Sequence, residues 1–272
     1  MLISDGLNRS QSNSVLQTKQ VTIPPRFKGG LFAVKKVLAI DTTTQACSVA
    51  LSLGNSVSSR FQLASREHTR LLLPMVNELL TEAGVKLSEL DALAFTQGPG
   101  SFTGIRIGFS VVQGLALGGD LPVLPVSSLE TLAHTACRKL IIEDNYRLLP
   151  MFDARMDEVY WSAFEWNGVG LTRLTQDNLS APETIILPHS DLPLAVIGDG
   201  WHYSERIDLF STIEVSTLLP DARDVLTIAV PEIENGALMA IDEVQPLYLR
   251  DKVSWQKRKR LRENNLMSNT GI

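Results

Sequence analysis

The chain has few cysteines, no long apolar run and few histidines, and each scarcity excludes a class of protein. Two cysteines, Cys47 and Cys137, among 272 residues are too few for a disulfide-stabilised secreted scaffold. No stretch approaches the roughly 18 consecutive apolar residues that a membrane-spanning helix requires, and the N-terminal segment lacks the apolar stretch of a secretion signal. We therefore expect a cytoplasmic protein with no membrane contact.

The histidines do not form a pattern that binds metal. His68, His134, His189 and His202 are scattered singly, whereas two ligands on one helix need a spacing of four residues. The sequence also has no Gly-x-Ser-x-Gly elbow and no cysteine-centred nucleophile motif. We therefore predict no metal site and no catalytic residue.

The composition is that of a globular protein without an overall basic surface. Apolar residues make up 44% and charged residues 20% of the chain, which suffices for one large or two small domains. The 25 Lys and Arg residues against 30 Asp and Glu residues give a net charge of -5. Any contact with nucleic acid must therefore be local.

The first half predicts a β-β-β-α-β-α module. Apolar runs and alternation predict strands at 37–41, 47–53 and 57–63, and an apolar period predicts a helix at 67–83 that Gly84 ends. A buried strand follows at Ala92–Thr96, and Ser101 is placed to cap a second helix extending to about Leu117.

The second half opens like the first. An apolar run again ends in an aspartate, Asp153, and a polar turn leads into another strand near Glu158–Phe164. Asp41 and Asp153 occupy equivalent places, which indicates two topologically related halves. A last helix is predicted from Thr227–Gly236.

Two polar turns of the first module are candidate phosphate sites. The first turn has an aspartate followed by threonines between two strands, an arrangement that can bind a metal ion and phosphate. The alternative is that these side chains only form local hydrogen bonds within the turn. The second turn is rich in glycine and precedes a helix that has an arginine in its second turn, so an anion could bind at the helix N-terminus. The alternative is that this turn has only a structural role. The candidate residues of this vestigial nucleotide site are Asp41, Thr42, Thr43, Gly98, Gly100 and Arg106.

The two helices of the first module carry apolar residues on more than one face. One face must cover the sheet, and the remainder predicts an exposed apolar strip that docks a partner. The alternative is that both faces are buried within the monomer. The candidate interface residues are Leu72, Leu73, Met75, Val76, Leu79, Leu80, Phe109, Val112 and Leu115.

Four segments resemble the TsaB (YeaZ) family in their order and spacing. They are Leu38–Leu51 (LAIDTTTQACSVAL), Gly98–Arg106 (GPGSFTGIR), Asp153–Tyr160 (DARMDEVY) and Tyr248–Arg250 (YLR). The resemblance implies an α/β fold of two related domains, as in the actin, sugar-kinase and Hsp70 (ASKHA) superfamily. Its implied domains are 35–138, completed by a C-terminal helix at about 233–250, and 139–232. A disordered extension at 1–34 and a basic flexible tail at 251–272 lie outside it.

The resemblance also implies a function. TsaB proteins resemble the catalytic paralogue TsaD but lack its metal-binding histidines, and here Met75 and Val76 are apolar. The implied role is a non-catalytic scaffold that binds TsaD, and with it TsaE, for threonylcarbamoyl transfer to adenosine 37 of tRNA (t6A formation). Further implications are a functional link to TsaC, a homodimer when alone, tRNA bound through the complex, and no firmly bound cofactor. ATP or ADP would bind only in the complex with TsaD and TsaE.

Two alternatives remain open from the residues. The first is an enzyme in its own right, either a nucleotide hydrolase or a peptidase. The second is direct RNA binding by the basic stretch Lys257–Arg262, which offers phosphate contacts.

Overall fold

The computed structural model describes residues 21–22, 35–140, 145–208, 213–215 and 217–250. The predicted basic tail and most of the predicted N-terminal extension therefore lie outside the described residues. The two described residues of that extension, Val21–Thr22, form a short strand against the open edge of the first sheet, which departs from the predicted disorder. No helix in these ranges is both long and apolar enough to cross a membrane.

The first sheet has the order β1-β4-β3-β2-β5-β6. Its strands are β1 (Val21–Thr22), β2 (Lys36–Asp41), β3 (Ala46–Leu53), β4 (Ser56–Leu63), β5 (Ala92–Gly98) and β6 (Val123–Ser127). β3 pairs with β2 and β4 in antiparallel orientation, and β5 lies parallel to both β2 and β6. The predicted strands of the first module are confirmed.

Helices cover both faces of this sheet. On one face lie α1 (His68–Ala83) and α2 (Phe102–Gly119), which share a core with Leu38, Leu93 and Phe95. On the other lies α4 (Ala222–Glu234), which packs on Val37, Ala39 and Ala94. The predicted C-terminus of α1 is confirmed, since Gly84 takes the left-handed conformation there. The predicted N-terminus of α2 is also confirmed, since the Ser101 hydroxyl accepts a hydrogen bond from the Gly104 amide.

The second sheet has the order β10-β9-β7-β12-β13, with β8 and β11 joined to β7 as a side branch. Its strands are β7 (Tyr146–Arg155), β8 (Glu158–Trp161), β9 (Phe164–Trp166), β10 (Leu171–Arg173), β11 (Asn178–Ser180), β12 (Leu194–Ile197) and β13 (Ile213–Val215). Helix α3 (Ser128–Leu140) packs on this sheet through Leu132 and Ala136. Short 3-10 helices occur at Leu87–Glu89, Pro182–Thr184, Asp199–Arg206 and Ile241–Glu243. The α/β class with two sheets is confirmed.

The two halves share the pairing of their first strands. In each, an antiparallel hairpin has a parallel strand beside its first member, β5 beside β2 and β12 beside β7. This pairing agrees with the similarity of the two sequence openings. The division into two domains and the ASKHA assignment stay predictions.

The C-terminal region differs from its prediction. The last α-helix begins at Ala222, five residues earlier than the predicted Thr227, because Asp221 caps it by accepting the Arg223 amide. The predicted helix at about 233–250 is wrong, since 235–250 contain only the 3-10 helix Ile241–Glu243. Pro246 and the hydrogen bond from the Leu247 amide to the Gln97 carbonyl suit an extended strap. Helix α3 was not predicted at all.

Candidate functional site

Asp41 is turned into the protein at the end of β2. Its side chain is fully buried, and Oδ1 accepts hydrogen bonds from the hydroxyls of Thr43 and Thr96, both at 2.6 Å. Burial raises the pKa of the Asp41 carboxyl to about 6, although these hydrogen bonds act in the opposite direction. Oδ2 has no hydrogen-bond partner among the described residues. The carboxylate thus serves its own turn, which is the structural alternative left open by the sequence.

The glycines at the start of α2 make room for the chain itself. A Cβ added at Gly100 would overlap the carbonyl oxygen of Thr43, and one added at Gly104 would overlap that of Thr42. The Thr42 hydroxyl donates to the Gly104 carbonyl at 2.8 Å, and the Ser101 amide donates to the Thr43 carbonyl at 2.7 Å. The space on the Cβ side of these two glycines is therefore filled by the Thr42–Thr43 turn.

Gly98 is close to the C-terminal strap. A Cβ at this position would lie 2.9 Å from the Leu247 carbonyl oxygen, and its positive φ of 121° also favours glycine. The strap, 244–250, passes over this point and then reaches the second half. Gly98 therefore accommodates the strap and does not face a ligand.

A cleft of about 950 Å³ lies between the two halves. It is lined by the turn after β2, the start of α2, the β7–β8 hairpin and the end of the strap. Thr43, Gly100 and Arg106 of the predicted phosphate site line it, whereas Asp41, Thr42 and Gly98 do not. The structure therefore brings only part of the predicted site to one surface.

Arg106 contacts two aromatic rings at this cleft. Its guanidinium carbon is 3.2 Å from the ring centre of Phe102 and 4.7 Å from that of Tyr248. Phe102 remains 65% exposed and Tyr248 41% exposed. The sequence analysis missed both rings, although Phe102 and Tyr248 lie inside two of the family motifs.

The β7–β8 hairpin forms the opposite wall of the cleft. Three consecutive residues at its tip, Arg155, Met156 and Asp157, have positive φ angles of 64°, 58° and 62°. Residues other than glycine rarely adopt such angles. Arg250 of the strap holds this tip by donating to the carbonyls of Ala154 and Arg155, both at 3.2 Å. It also forms an ion pair with Glu158 at 2.6 Å. The strap therefore fixes the shape of this wall.

Asp153, the counterpart of Asp41, is placed differently. It lines the cleft and pairs with Arg155 at 2.6 Å, and its amide donates to Asp199 at 3.0 Å. Burial raises the pKa of the Asp199 carboxyl. The two aspartates are equivalent in sequence position but only the second faces the cleft.

The predicted interface strip is only partly exposed. Five of its members are buried in the core of the first half, and for them the prediction of an exposed strip is wrong because they face the sheet: Leu72, Met75, Val76, Leu79 and Val112. Leu73 is 51% exposed. Leu80, Phe109 and Leu115 are half-buried at the margin of the core. Leu117, 74% exposed, was not predicted.

No cluster of three or more His, Cys, Asp or Glu side chains suited to a metal ion occurs in residues 35–140, 145–208, 213–215 and 217–250. The Nε2 of His68 donates to the backbone carbonyl oxygens of Thr44 and Ala46, at 3.0 and 3.1 Å. Burial raises the pKa of the Cys47 and Cys137 thiols to about 12, which keeps them protonated at neutral pH.

Comparison with known proteins identifies the family. A family profile described as "TsaD: tRNA N6-adenosine threonylcarbamoyltransferase" matches residues 53–215. The tRNA threonylcarbamoyladenosine biosynthesis protein TsaB of Escherichia coli (strain K12) is 41% identical over 229 residues, covering 82% of this chain and 97% of that protein. The chain belongs to the TsaB family. The resemblance seen in the sequence motifs is therefore confirmed.

Solved structures and more distant relatives agree with this membership. The structure named YeaZ from Pseudomonas aeruginosa is 40% identical to this chain, with a TM-score of 0.75. The match covers 79% of this chain and 100% of that chain. A tRNA N6-adenosine threonylcarbamoyltransferase of Chromobacterium violaceum is 48% identical over 69 residues, 25% of this chain and 20% of that protein. The likeness to the transferase is thus confined to a part of its length, whereas the likeness to TsaB is nearly complete.

Proposed function

We propose that this chain is a non-catalytic subunit that binds TsaD, and with it TsaE, for threonylcarbamoyl transfer to adenosine 37 of tRNA. The observation that carries the proposal is the 41% identity to TsaB of Escherichia coli over 97% of that protein's length. That relative is named for tRNA threonylcarbamoyladenosine biosynthesis. TsaC, which supplies the activated threonylcarbamoyl group, is a functional partner in this proposal.

An apolar surface on the first two helices supports partner binding. We call it the α1–α2 surface, and it comprises the exposed Leu73 and Leu117, the half-buried Leu80, Phe109 and Leu115, and the glycines Gly114 and Gly118. A Cβ at either glycine would meet no atom within 4 Å, so the backbone of α2 is open to close approach by another helix. Exposed apolar side chains beside such a backbone favour helix docking. The same surface would serve a homodimer when TsaD is absent.

The geometry of the cleft favours a subunit without its own nucleotide chemistry. Asp41, the residue best placed in sequence to organise a metal ion, is buried and hydrogen-bonded to Thr43 and Thr96. The Thr42–Thr43 turn fills the space beside Gly100 and Gly104. ATP or ADP is therefore proposed only for the complex with TsaD and TsaE.

The peptidase alternative has weaker support. A Pseudomonas aeruginosa structure, 40% identical, is described as having similarity to peptidase YEAZ. A cysteine peptidase needs an accessible thiolate, yet Cys47 is buried and its pKa is raised to about 12. No cysteine lines the cleft among the described residues, and the Nε2 of His68 in the cleft is hydrogen-bonded to the backbone carbonyls of Thr44 and Ala46.

Size-exclusion chromatography with light scattering tests the proposal. The full chain is measured alone and mixed with TsaD from the same organism, and each sample is then assayed for tRNA modification with TsaC and TsaE present. We expect a complex with TsaD that modifies tRNA, and no modification by this chain without TsaD. Failure to associate, or modification without TsaD, would overturn the proposal.

A further inference from the structure

The cleft presents exposed aromatic surface beside arginine. Phe102, Arg106 and Tyr248 form one cluster, in which the centres of the two rings are 6.2 Å apart and the ring planes are tilted by 45°. Both rings keep a large exposed fraction even though the guanidinium lies against them. An exposed aromatic ring can stack with another flat ring, including a nucleobase.

Two arginines of the cleft have no carboxylate partner among the described residues. Arg155 is paired with Asp153 and Arg250 with Glu158, but Arg66 and Arg106 form no ion pair there. The remaining carboxylate of the cleft is Asp199, which accepts the Asp153 amide and whose pKa is raised by burial. The cleft therefore carries unpaired positive charge next to the aromatic cluster, although the whole chain is acidic.

A nucleoside triphosphate fits this arrangement poorly. A triphosphate needs a metal-organising carboxylate and a backbone cradle, and here Asp41 is buried while Thr42 and Thr43 occupy the space beside the glycines. A single strand of nucleic acid needs neither a metal-organising carboxylate nor a backbone cradle. Flat aromatic faces hold its bases, and separate arginines hold its phosphates one at a time.

We propose that this cleft binds an unpaired stretch of RNA, with bases stacked on Phe102 and Tyr248 and phosphates bound by Arg66 and Arg106. The inference rests on the proposed function, in which the complex modifies tRNA, and it names the surface of this subunit that touches that substrate. The cleft volume of about 950 Å³ exceeds what one base needs.

Binding of a labelled single-stranded RNA of 12 nucleotides to the full chain tests the inference, by fluorescence anisotropy at several salt concentrations. Tyr248→Ala should weaken binding roughly five- to a hundred-fold, because one stacking partner is lost. Tyr248→Phe keeps the ring and should bind like the wild type. Loss of binding in Tyr248→Phe, or unchanged binding in Tyr248→Ala, would overturn the inference.

Arg66 has a matched control four residues further along the chain, in the first turn of α1. Arg66→Gln should weaken binding and flatten the slope of log affinity against log salt by about 0.7, the value for one phosphate contact on a single strand. Arg70→Gln should change neither, because Arg70 pairs with Glu67 at 2.8 Å and does not line the cleft. ATP should compete poorly with the RNA. Equal competition by ATP would overturn the inference in favour of a nucleotide pocket.

Association with TsaD separates this inference from the proposed function. Tyr248→Ala should still bind TsaD, because Tyr248 lies outside the α1–α2 surface. Leu117→Glu should still bind RNA but lose TsaD. If RNA binding is absent while TsaD binds, only the RNA inference fails, and if TsaD fails to bind while RNA binds, only the proposed function fails.

Discussion

At the scale of single residues, Asp41 is a candidate ligand-binding carboxylate that is instead buried in the core. A carboxylate that organises a ligand must face the ligand, but this one faces Thr43 and Thr96 in the core. Its burial raises its pKa to about 6 from the usual 3.8. The group therefore makes the stability of the fold depend on pH.

The pH dependence has a definite sign. Because the folded-state pKa is higher, the folded chain binds more protons than the unfolded chain between pH 3.8 and about 6, so the contribution of Asp41 to stability rises as the pH falls. Asp41→Asn removes this contribution. The difference in unfolding free energy, variant minus wild type, should fall by roughly 1–2 kcal/mol between pH 7.5 and pH 5.

Urea unfolding of both proteins at the two pH values measures this difference. Between pH 7.5 and 8.5 the difference should stay constant, since Asp41 is ionised at both. A difference that grows as the pH falls would show that the carboxylate is not destabilised by burial.

Two glycines of α2 allow a matched substitution. Gly104→Ala should destabilise the fold by about 1–3 kcal/mol, because the added methyl group overlaps the Thr42 carbonyl. Gly114→Ala should stabilise it by about 0.5–1 kcal/mol, because the site is open and alanine is the better helix former. Thermal unfolding of both variants gives the comparison. A Gly104→Ala variant as stable as the wild type or more so would mean that the turn does not approach α2 as described.

At the scale of elements, the helix pattern predicted α1 and α2 correctly but not which of their apolar residues face outward. Both helices lie flat on the sheet, so a broad face of each is buried against Leu38, Leu93 and Phe95. The residues left for a partner lie at the margin of that face or opposite it. The α1–α2 surface is therefore narrower than the sequence predicted, and it includes Leu117.

Opposite sides of α1 should respond differently to charge. Leu79→Glu should unfold or destabilise the protein by more than about 3 kcal/mol, because Leu79 is fully buried. Leu73→Glu, at a position 51% exposed, should change stability by less than about 0.5 kcal/mol and weaken association with TsaD.

Circular dichroism on heating and light scattering with TsaD measure the two effects. If Leu79→Glu folds normally and fails only in association, the strip predicted from the sequence is right and the core assignment is wrong. If Leu73→Glu associates normally, the partner does not use this part of α1.

At the scale of the whole molecule, two connections tie the halves together. Arg138 of α3, the helix on the second sheet, donates to Asp224 at 2.8 Å and to Asp221 at 2.9 Å, at the start of the helix on the first sheet. The strap joins the Gln97 carbonyl in one half to Glu158 in the other. Both connections join residues that are distant in sequence, and the strap also brings Tyr248 and Arg250 to the cleft.

The sequence by itself determined the local structure and the family. Alternation and helical period located β2 to β5 and both helix ends of the first module, because these signals are carried by neighbouring residues. The motifs identified the TsaB family in the same way. Helix α3 was not predicted, although Ser127 and Glu130 have the spacing of a capping box and the Ser127 hydroxyl accepts a hydrogen bond from the Glu130 amide at 3.3 Å.

Only the tertiary structure decided what those residues do. Asp41 and Asp153 look equivalent in sequence, but the packing of α2 against Thr42–Thr43 turns the first carboxylate inward and leaves the second at the cleft. Likewise, Tyr248 contacts Arg106 only because the strap folds back onto the first half of the chain. Burial and long-range contact depend on the three-dimensional arrangement of both halves, and no local pattern of residues encodes them.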